Sequence, residues 1–425
     1  MIKVIRNGTV ITMDDSRGLK YEKLDIVIND DTITELVSNY NGKSDLDIDA
    51  TNKIILPGLI NSHTHLGMSI FRATNDNLDL NDWLTKKIWP IEDKLDNDDV
   101  YYSTLLSCIE MIKTGTVMSN DMYFNCDGSI KAIKETKVRS LFGRCLMDND
   151  SQGQERIDDF LRLYNLYKND PLIKFSIAPH AFYTCSGEYL KKCSDLALKY
   201  NIPLHIHFCE NLSEVDGIEK QYKKDPIDAL DELGLLRNKL ILAHTTFLNE
   251  EKLEKFRNHD VSFVHNPVSN LNLGCGIANM SKYREYVNIC LGTDGQGSGN
   301  NMNLFYHMSM VALLQKGLYK DPTIFSSYET LKMATINGAK ALGVDNLIGS
   351  IEVGKKADIV ILDMDKTPSF PTVDLITNVV HNTTPENVCT TIINGEVLMN
   401  NHELKLNIDE NMLKENISRI IKNKM

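Results

Sequence analysis

The 425-residue chain predicts an α/β fold: a (β/α)8 TIM-like barrel with a small β-sandwich domain formed by the N- and C-terminal segments. Three observations lead there. Eight short β-rich runs alternate with helical stretches through the middle of the chain, the order that a barrel of parallel strands requires. The flanking segments, 1–56 and 350–425, read instead as strands and turns. The span between them, 57–349, is close to the ~250 residues of a typical barrel once insertions are allowed.

Taken in order, MIKVIRNGTVITM and LDIVINDDTITELV alternate apolar and polar residues and carry the turn clusters Arg6-Asn7-Gly8 and Asn29-Asp30-Asp31. That is the pattern of strands with one buried face. Barrel strands are expected at 54–63, 117–122, 140–147, 173–179, 203–208, 240–244, 261–265 and 287–291. Helices are expected at 79–94, 98–114, 128–136, 154–168, 186–199, 227–233, 250–258 and 303–316. After the barrel, SIEVGKKADIVILDMD and VCTTIINGEVLMNN return to β character and pair with the first fifty residues or so; a helix at 409–422 closes the sequence.

Composition narrows the function classes. Hydrophobic residues make up 42% and charged residues 24%, so the chain can bury a large core and wholesale disorder is excluded. The formal charge of -12 excludes a general binder of nucleic-acid phosphates, although a small basic pocket remains open to an anionic substrate. No apolar run approaches the ~20 residues of a membrane span, and MIKVIRNGTVITMDD lacks the apolar core of a signal peptide. A cytoplasmic protein with neither membrane nor nucleic-acid partner is expected. The nine cysteines, odd in number and without a CxxC pair, argue against a disulfide framework and against a zinc ribbon.

His63-Thr64-His65 ends the first barrel strand. Side chains two apart on a strand share a face, so two imidazoles stand together on the C-terminal rim, where barrel active sites lie. The pair suits Zn2+ or another borderline metal; two polar residues at a strand end would read the same way. His207 and Glu210 lie at the tip of the fifth strand, in His205-Ile206-His207-Phe208-Cys209-Glu210. A ligating His with a carboxylate three residues on fits a hydrolytic site in which the carboxylate moves protons, and strand-end polarity is again the plain alternative. His205 lies one layer deeper and reads as a satisfied core histidine. Asp294, in Gly292-Thr293-Asp294-Gly295, stands to ligate a metal, to act as a base, or to form the turn. His244 ends the sixth strand and His180 follows the fourth; each alone reads as structural. Their coincidence carries the argument, because five of the eight strand ends bear His or Asp on one rim. His265 reads as a supporting residue at most, and His259, His307, His381 and His402 as core or solvated. The motifs HExxH, GxxxxGK[ST], GxSxG and PCxxC are all missing.

These rim residues, with the stretches PGLINSHTHLGM, DWLTKKIWPIEDKL, APHAFYTC, IHFCEN, HNPVSNLNLG, GTDGQGSGNNMNLF and EVGKKADIVILD, resemble the amidohydrolase superfamily. The likeness runs over nearly the whole chain and is closest to the branch of 5'-methylthioadenosine/S-adenosylhomocysteine deaminases and triazine chlorohydrolases. It implies one divalent metal per chain, Zn2+ with Fe2+ as the alternative, on His63, His65, His207 and Asp294. It implies Glu210 as the proton shuttle to a substrate ring and His244 beside the attacking water. It further implies Glu92 on the ribose hydroxyls, Trp83 as a pocket-wall aromatic, His180 on the purine, and Arg144 and Arg156 near the distal tail of the substrate. Some amidohydrolases bridge two metals with a lysine at the end of strand four; here that strand ends Ile177-Ala178-Pro179-His180, so one metal is expected.

The activity so implied is hydrolytic deamination of a purine nucleoside, a 5'-modified adenosine, by a homo-oligomer. A deaminase or dechlorinase of another heterocycle (guanine, pterin or triazine-like) is the alternative, and a non-catalytic binding paralogue the third reading. Glu210 weighs against dechlorination, since no amine leaving group then needs its proton. The intact rim weighs against the paralogue. Two departures from the branch stand out: GQGSGNN after Asp294, and a longer, charged 211–243 segment.

Overall fold

The computed structural model describes residues 1–18, 20–75 and 77–425. Eight parallel strands ring the centre: β1 (Leu59–Thr64), β2 (Thr116–Tyr123), β3 (Arg139–Leu146), β4 (Ile173–Phe175 continued by Ala178–Pro179), β5 (Leu204–Phe208), β6 (Leu240–His244), β7 (Val261–His265) and β8 (Asn288–Leu291). Neighbours pair in sequence order from β1 to β4 and from β5 to β8. Two seams close the ring. His205 N donates to Ile177 O at 2.9 Å between β4 and β5, and Asp294 N donates to His63 O at 3.0 Å between the end of β8 and β1. These strands are almost wholly buried because side chains fill the barrel inside and helices cover it outside. Among the described residues, no helix is long and apolar enough to cross a membrane.

The expected strand 54–63 is two strands. Ile54–Pro57 pairs antiparallel with Ile359–Leu362, outside the barrel. The chain then breaks at Gly58, where a Cβ would lie 2.2 Å from the Val117 side chain. The expected helix 79–94 is also divided, into Leu80–Trp83, a π-helical turn Leu84–Ile88, and Trp89–Glu92. Pro90 has no N–H to continue the α-helical ladder, and a π turn is one way a helix absorbs such a break.

Both chain ends contribute strands to one sheet. Its form differs from the expected sandwich of two sheets: nine strands are hydrogen-bonded continuously. The first strand, Ile2–Val10, borders Glu22–Asn29 on one side; on the other, Leu46–Asp49 flanks its first half and Ile54–Pro57 its second. The sheet curls until Thr32 bridges Lys356, enclosing Ile5, Leu24, Ile28, Ile359 and Ile392 in a separate apolar core.

A buried ion pair ties this sheet to the barrel. Arg139, at the base of β3, donates to Asp358 through Nε at 2.7 Å and Nη2 at 3.0 Å, and to Asn394 Oδ1 at 2.7 Å. Removing one partner leaves an uncompensated buried charge. Asp358→Ala is therefore expected to cost about 3–5 kcal/mol of stability, measured by denaturant unfolding. A loss near zero would show that the sheet is anchored by its apolar contacts alone.

Candidate metal centre

The rim of the barrel gathers six polar side chains from four strand ends. His63 Nε2 lies 3.4 Å and His65 Nε2 3.2 Å from Asp294 Oδ1. His65 Nε2 and His207 Nε2 are 3.2 Å apart. Ligand atoms of His63, His207 and His244 lie within 4.8 Å of one another, as do those of Glu210, His244 and Asp294. The backbone is strained where it delivers them. Cys209, His244, Thr245 and Asp294 take φ of 51°, 74°, 47° and 63°, a left-handed region that non-glycine residues occupy only where surrounding contacts over-determine it.

Each imidazole is held by its far nitrogen. His65 Nδ1 donates to Met122 O at 2.6 Å, His207 Nδ1 to His180 O at 2.7 Å and His244 Nδ1 to Asn270 Oδ1 at 2.8 Å, while His63 Nδ1 meets His205 Nε2 at 2.9 Å. These bonds set the tautomers so that the Nε2 lone pairs turn inward. His63 Nε2 and His244 Nε2 are buried with no hydrogen-bond partner. Converging lone pairs beside a carboxylate repel unless a cation sits among them. Asp294 draws positive charge into the cluster, a proton taking the cation's place: burial lowers the His65 pKa, yet the adjacent carboxylate overrides burial and raises it to about 9. The donor set, imidazole nitrogens with a carboxylate oxygen, is one that a borderline divalent metal favours.

Asp294 is fixed on its other side. Its Oδ2 accepts from Ser269 Oγ at 2.6 Å and Ser298 Oγ at 2.9 Å, and Oδ1 accepts from Gly295 N at 2.8 Å. The GQGSGNN stretch thereby finds a role. Ser298 holds the aspartate, and the glycines allow close packing, since a Cβ on Gly297 would lie 2.8 Å from Trp83 and one on Gly299 2.0 Å from Thr293 O. The 211–243 segment forms two helices, Leu212–Tyr222 and Pro226–Glu232.

A slot of about 50 Å³ opens beside the cluster. Glu210, His180, Glu92, Trp89, Tyr123 and Tyr183 are among the residues that line it. Burial and the charge of Asp294 hold the Glu210 carboxyl well above its ordinary range. Burial pushes Glu92 up to about 7 and His180 down to about 3, leaving His180 neutral. Its Nδ1 pairs with Thr184 Oγ1 at 2.9 Å.

Three expected contacts lie elsewhere. Trp83 is buried away from the slot, its Nε1 3.4 Å from Thr74 Oγ1. The π turn shifts the helical register so that Leu80, Leu84, Ile88, Trp89 and Glu92 face the slot, and Trp89 holds the aromatic place expected for Trp83. Arg156 makes a two-pronged pair with Asp150, at 2.6 Å through each nitrogen, and donates to Met147 O at 2.9 Å. Arg144 donates to Cys145 O at 2.7 Å and to Asp159 at 3.3 Å. Neither guanidinium lines the slot.

Sequence reasoning missed the supporting residues. Asn270 and Ser269 sit within HNPVSNLNLG and Ser298 within GQGSGNN, stretches it quoted without assigning them a role. His205, read as a satisfied core residue, backs His63. His265 and His307 are buried with both ring nitrogens unpartnered.

Comparison with known proteins shows the family. Residues 54–398 match the amidohydrolase family. The chain is 41% identical to a 5-methylthioadenosine/S-adenosylhomocysteine deaminase of Thermoanaerobacter pseudethanolicus, over 99% of this chain and 98% of that protein. It is 37% identical to a 5'-deoxyadenosine deaminase of Methanosarcina acetivorans, over 97% and 96%. A solved adenosine deaminase from Xanthomonas campestris with bound zinc has a TM-score of 0.95 to it at 29% identity, over 99% and 98%.

Proposed function

The chain belongs to the amidohydrolase family, and from that premise we propose that it is a metal-dependent hydrolytic deaminase of 5'-modified adenosines, releasing ammonia and the inosine analogue. The observation that carries the reading is a buried Glu210 beside a cluster of imidazoles and a carboxylate. Relatives named as deaminases of 5'-methylthioadenosine, S-adenosylhomocysteine and 5'-deoxyadenosine support the substrate class.

In this reading residues 57–349 form the catalytic unit, and His63, His65, His207 and Asp294 hold one divalent metal. Zinc is the metal we favour, given the similar zinc-bound deaminase, with Fe2+ as the alternative. When bound, such an ion lowers the pKa of a water from about 15.7 toward about 7. The chain's own groups do the remaining work. Asp294 and His244 accept the proton of the attacking water and orient it toward the ring carbon. Glu210 delivers its proton to the neighbouring ring nitrogen, which makes that carbon electrophilic, and a proton relayed back lets ammonia leave. Each such transfer is worth about 10²–10⁴-fold. In this reading Glu92 accepts hydrogen bonds from ribose hydroxyls, and neutral His180 pairs with the purine edge. The slot is far smaller than the ~300–1,000 Å³ of ligand pockets, so the site must widen to admit a nucleoside.

The test is ammonia release across adenosine, methylthioadenosine, adenosylhomocysteine, guanine and a chlorotriazine. Turnover confined to guanine or the triazine would replace this reading with its alternative. Arg156→Met belongs in the same panel. Because its guanidinium faces Asp150, KM should change equally for adenosylhomocysteine and methylthioadenosine. A rise confined to adenosylhomocysteine, of the ~1.5–3 kcal/mol that a charged hydrogen bond contributes, would give Arg156 the tail-reading role that the family resemblance implies.

A further inference from the structure

Directly behind Glu210 lies a second buried carboxyl, outside the candidate ligand set. Glu214 is 5% exposed and sits in the first turn of helix Leu212–Tyr222. Its Oε2 accepts the backbone N–H of Glu210 at 2.9 Å. The helix start does not depend on that bond, because Asn211 already caps it, accepting Glu214 N–H at 2.8 Å. On the other side of Glu210, Cys209 turns through a φ of 51°. The Cys209 carbonyl accepts from Thr246 N at 3.0 Å and Phe247 N at 3.1 Å. Glu210 therefore projects from a sharp turn fastened at two points, to the segment after β6 and to the Glu214 carboxyl.

We propose that Glu214 is a positioning residue for Glu210: it holds the backbone from which the proton-donating side chain reaches the substrate ring. The proposal rests on the deaminase reading above. Two further features fit it. Glu214 Oε1 is buried without a hydrogen-bond partner, a costly arrangement that an ordinary helix start would not retain. Burial pushes the Glu214 carboxyl up to about 8, with the Glu210 N–H pulling the other way. At pH 7 it is largely neutral and adds little negative charge behind Glu210, which must itself keep a proton. Losing the bond frees the turn, and a displacement of ~1 Å in a reacting group costs on the order of 10²-fold in rate.

The experiment compares Glu214→Ala, Glu214→Gln and Glu214→Asp in the metal-loaded enzyme, reading kcat, KM, metal content and thermal midpoint. Glu214→Ala should lower kcat by about 10²-fold with KM and metal content retained. Glu214→Gln keeps an acceptor oxygen at the same reach without charge and should restore most of the rate. Glu214→Asp falls one methylene short and should not. A merely structural residue would lower the thermal midpoint in all three variants and leave kcat per metal-loaded molecule unchanged; that result overturns the proposal. Should Glu214→Ala fail to fold, the Gln–Asp pair decides alone, and equal kcat in both overturns it. Wild-type turnover of some other amino-heterocycle would sink the adenosine reading only, with the same variants compared on that substrate. Wild-type protein that releases ammonia from no substrate overturns both.

Discussion

Glu210→Gln is expected to lower kcat by about 10²–10⁴-fold, the range for loss of one positioned proton transfer, while the metal stays bound. Glutamine preserves shape and a hydrogen-bonding oxygen but cannot release a proton to a ring nitrogen. Glu210 is 3% exposed, and burial together with Asp294 raises its carboxyl well above its ordinary range, which suits a proton donor. Elemental analysis of the variant beside steady-state ammonia release checks this. Near-normal kcat with full metal content would mean that the leaving group does not need the proton, and dechlorination would move ahead of deamination.

The second large effect concerns the cation. Purified protein should carry close to one equivalent of divalent metal, and stripping it with a chelator should abolish turnover, restored by Zn2+ or Fe2+. Asp294→Asn should do the same. The amide lacks the negative charge that draws His63 and His65 to 3.4 and 3.2 Å, and it leaves Ser269 and Ser298 competing for a weaker acceptor. Two equivalents of metal, or activity surviving complete chelation, would rule out the single-metal hydrolase.

Parts of the fold and of the site were legible in the primary structure for different reasons. The barrel strands show because each is a short β-rich run separated from the next by a helical stretch. The HxH pair at 63 and 65 shows because a period of two forces both rings to one face. Gly58 hid the first boundary: Ile54–Ile60 reads as one apolar run, and only the fold shows that Ile54–Pro57 and Leu59–Thr64 serve two different sheets. The sandwich expectation failed for a related reason, since alternation reveals a buried face without revealing how many sheets share it. Trp83 and Trp89 are both aromatic residues within one helical stretch. The π turn between them decides which one faces the slot, and no periodicity at 3.6 residues could show that.

By itself the sequence determined which residue types stand at the C-terminal ends of the strands, and hence that imidazoles and a carboxylate meet on one rim. Strand periodicity and barrel order are local properties, written in neighbouring residues. Only the tertiary structure decided what surrounds them: Asn270 on His244, Ser269 and Ser298 on Asp294, Glu214 on the Glu210 backbone, and Asp150 pairing with Arg156 at a distance from the slot. Asn270 and Ser269 come from segments distant along the chain, while Ser298, Glu214 and Asp150 lie only a turn or two from the groups they hold; in both cases a hydrogen bond of 2.6–2.9 Å depends on side-chain geometry that spacing along the chain does not encode.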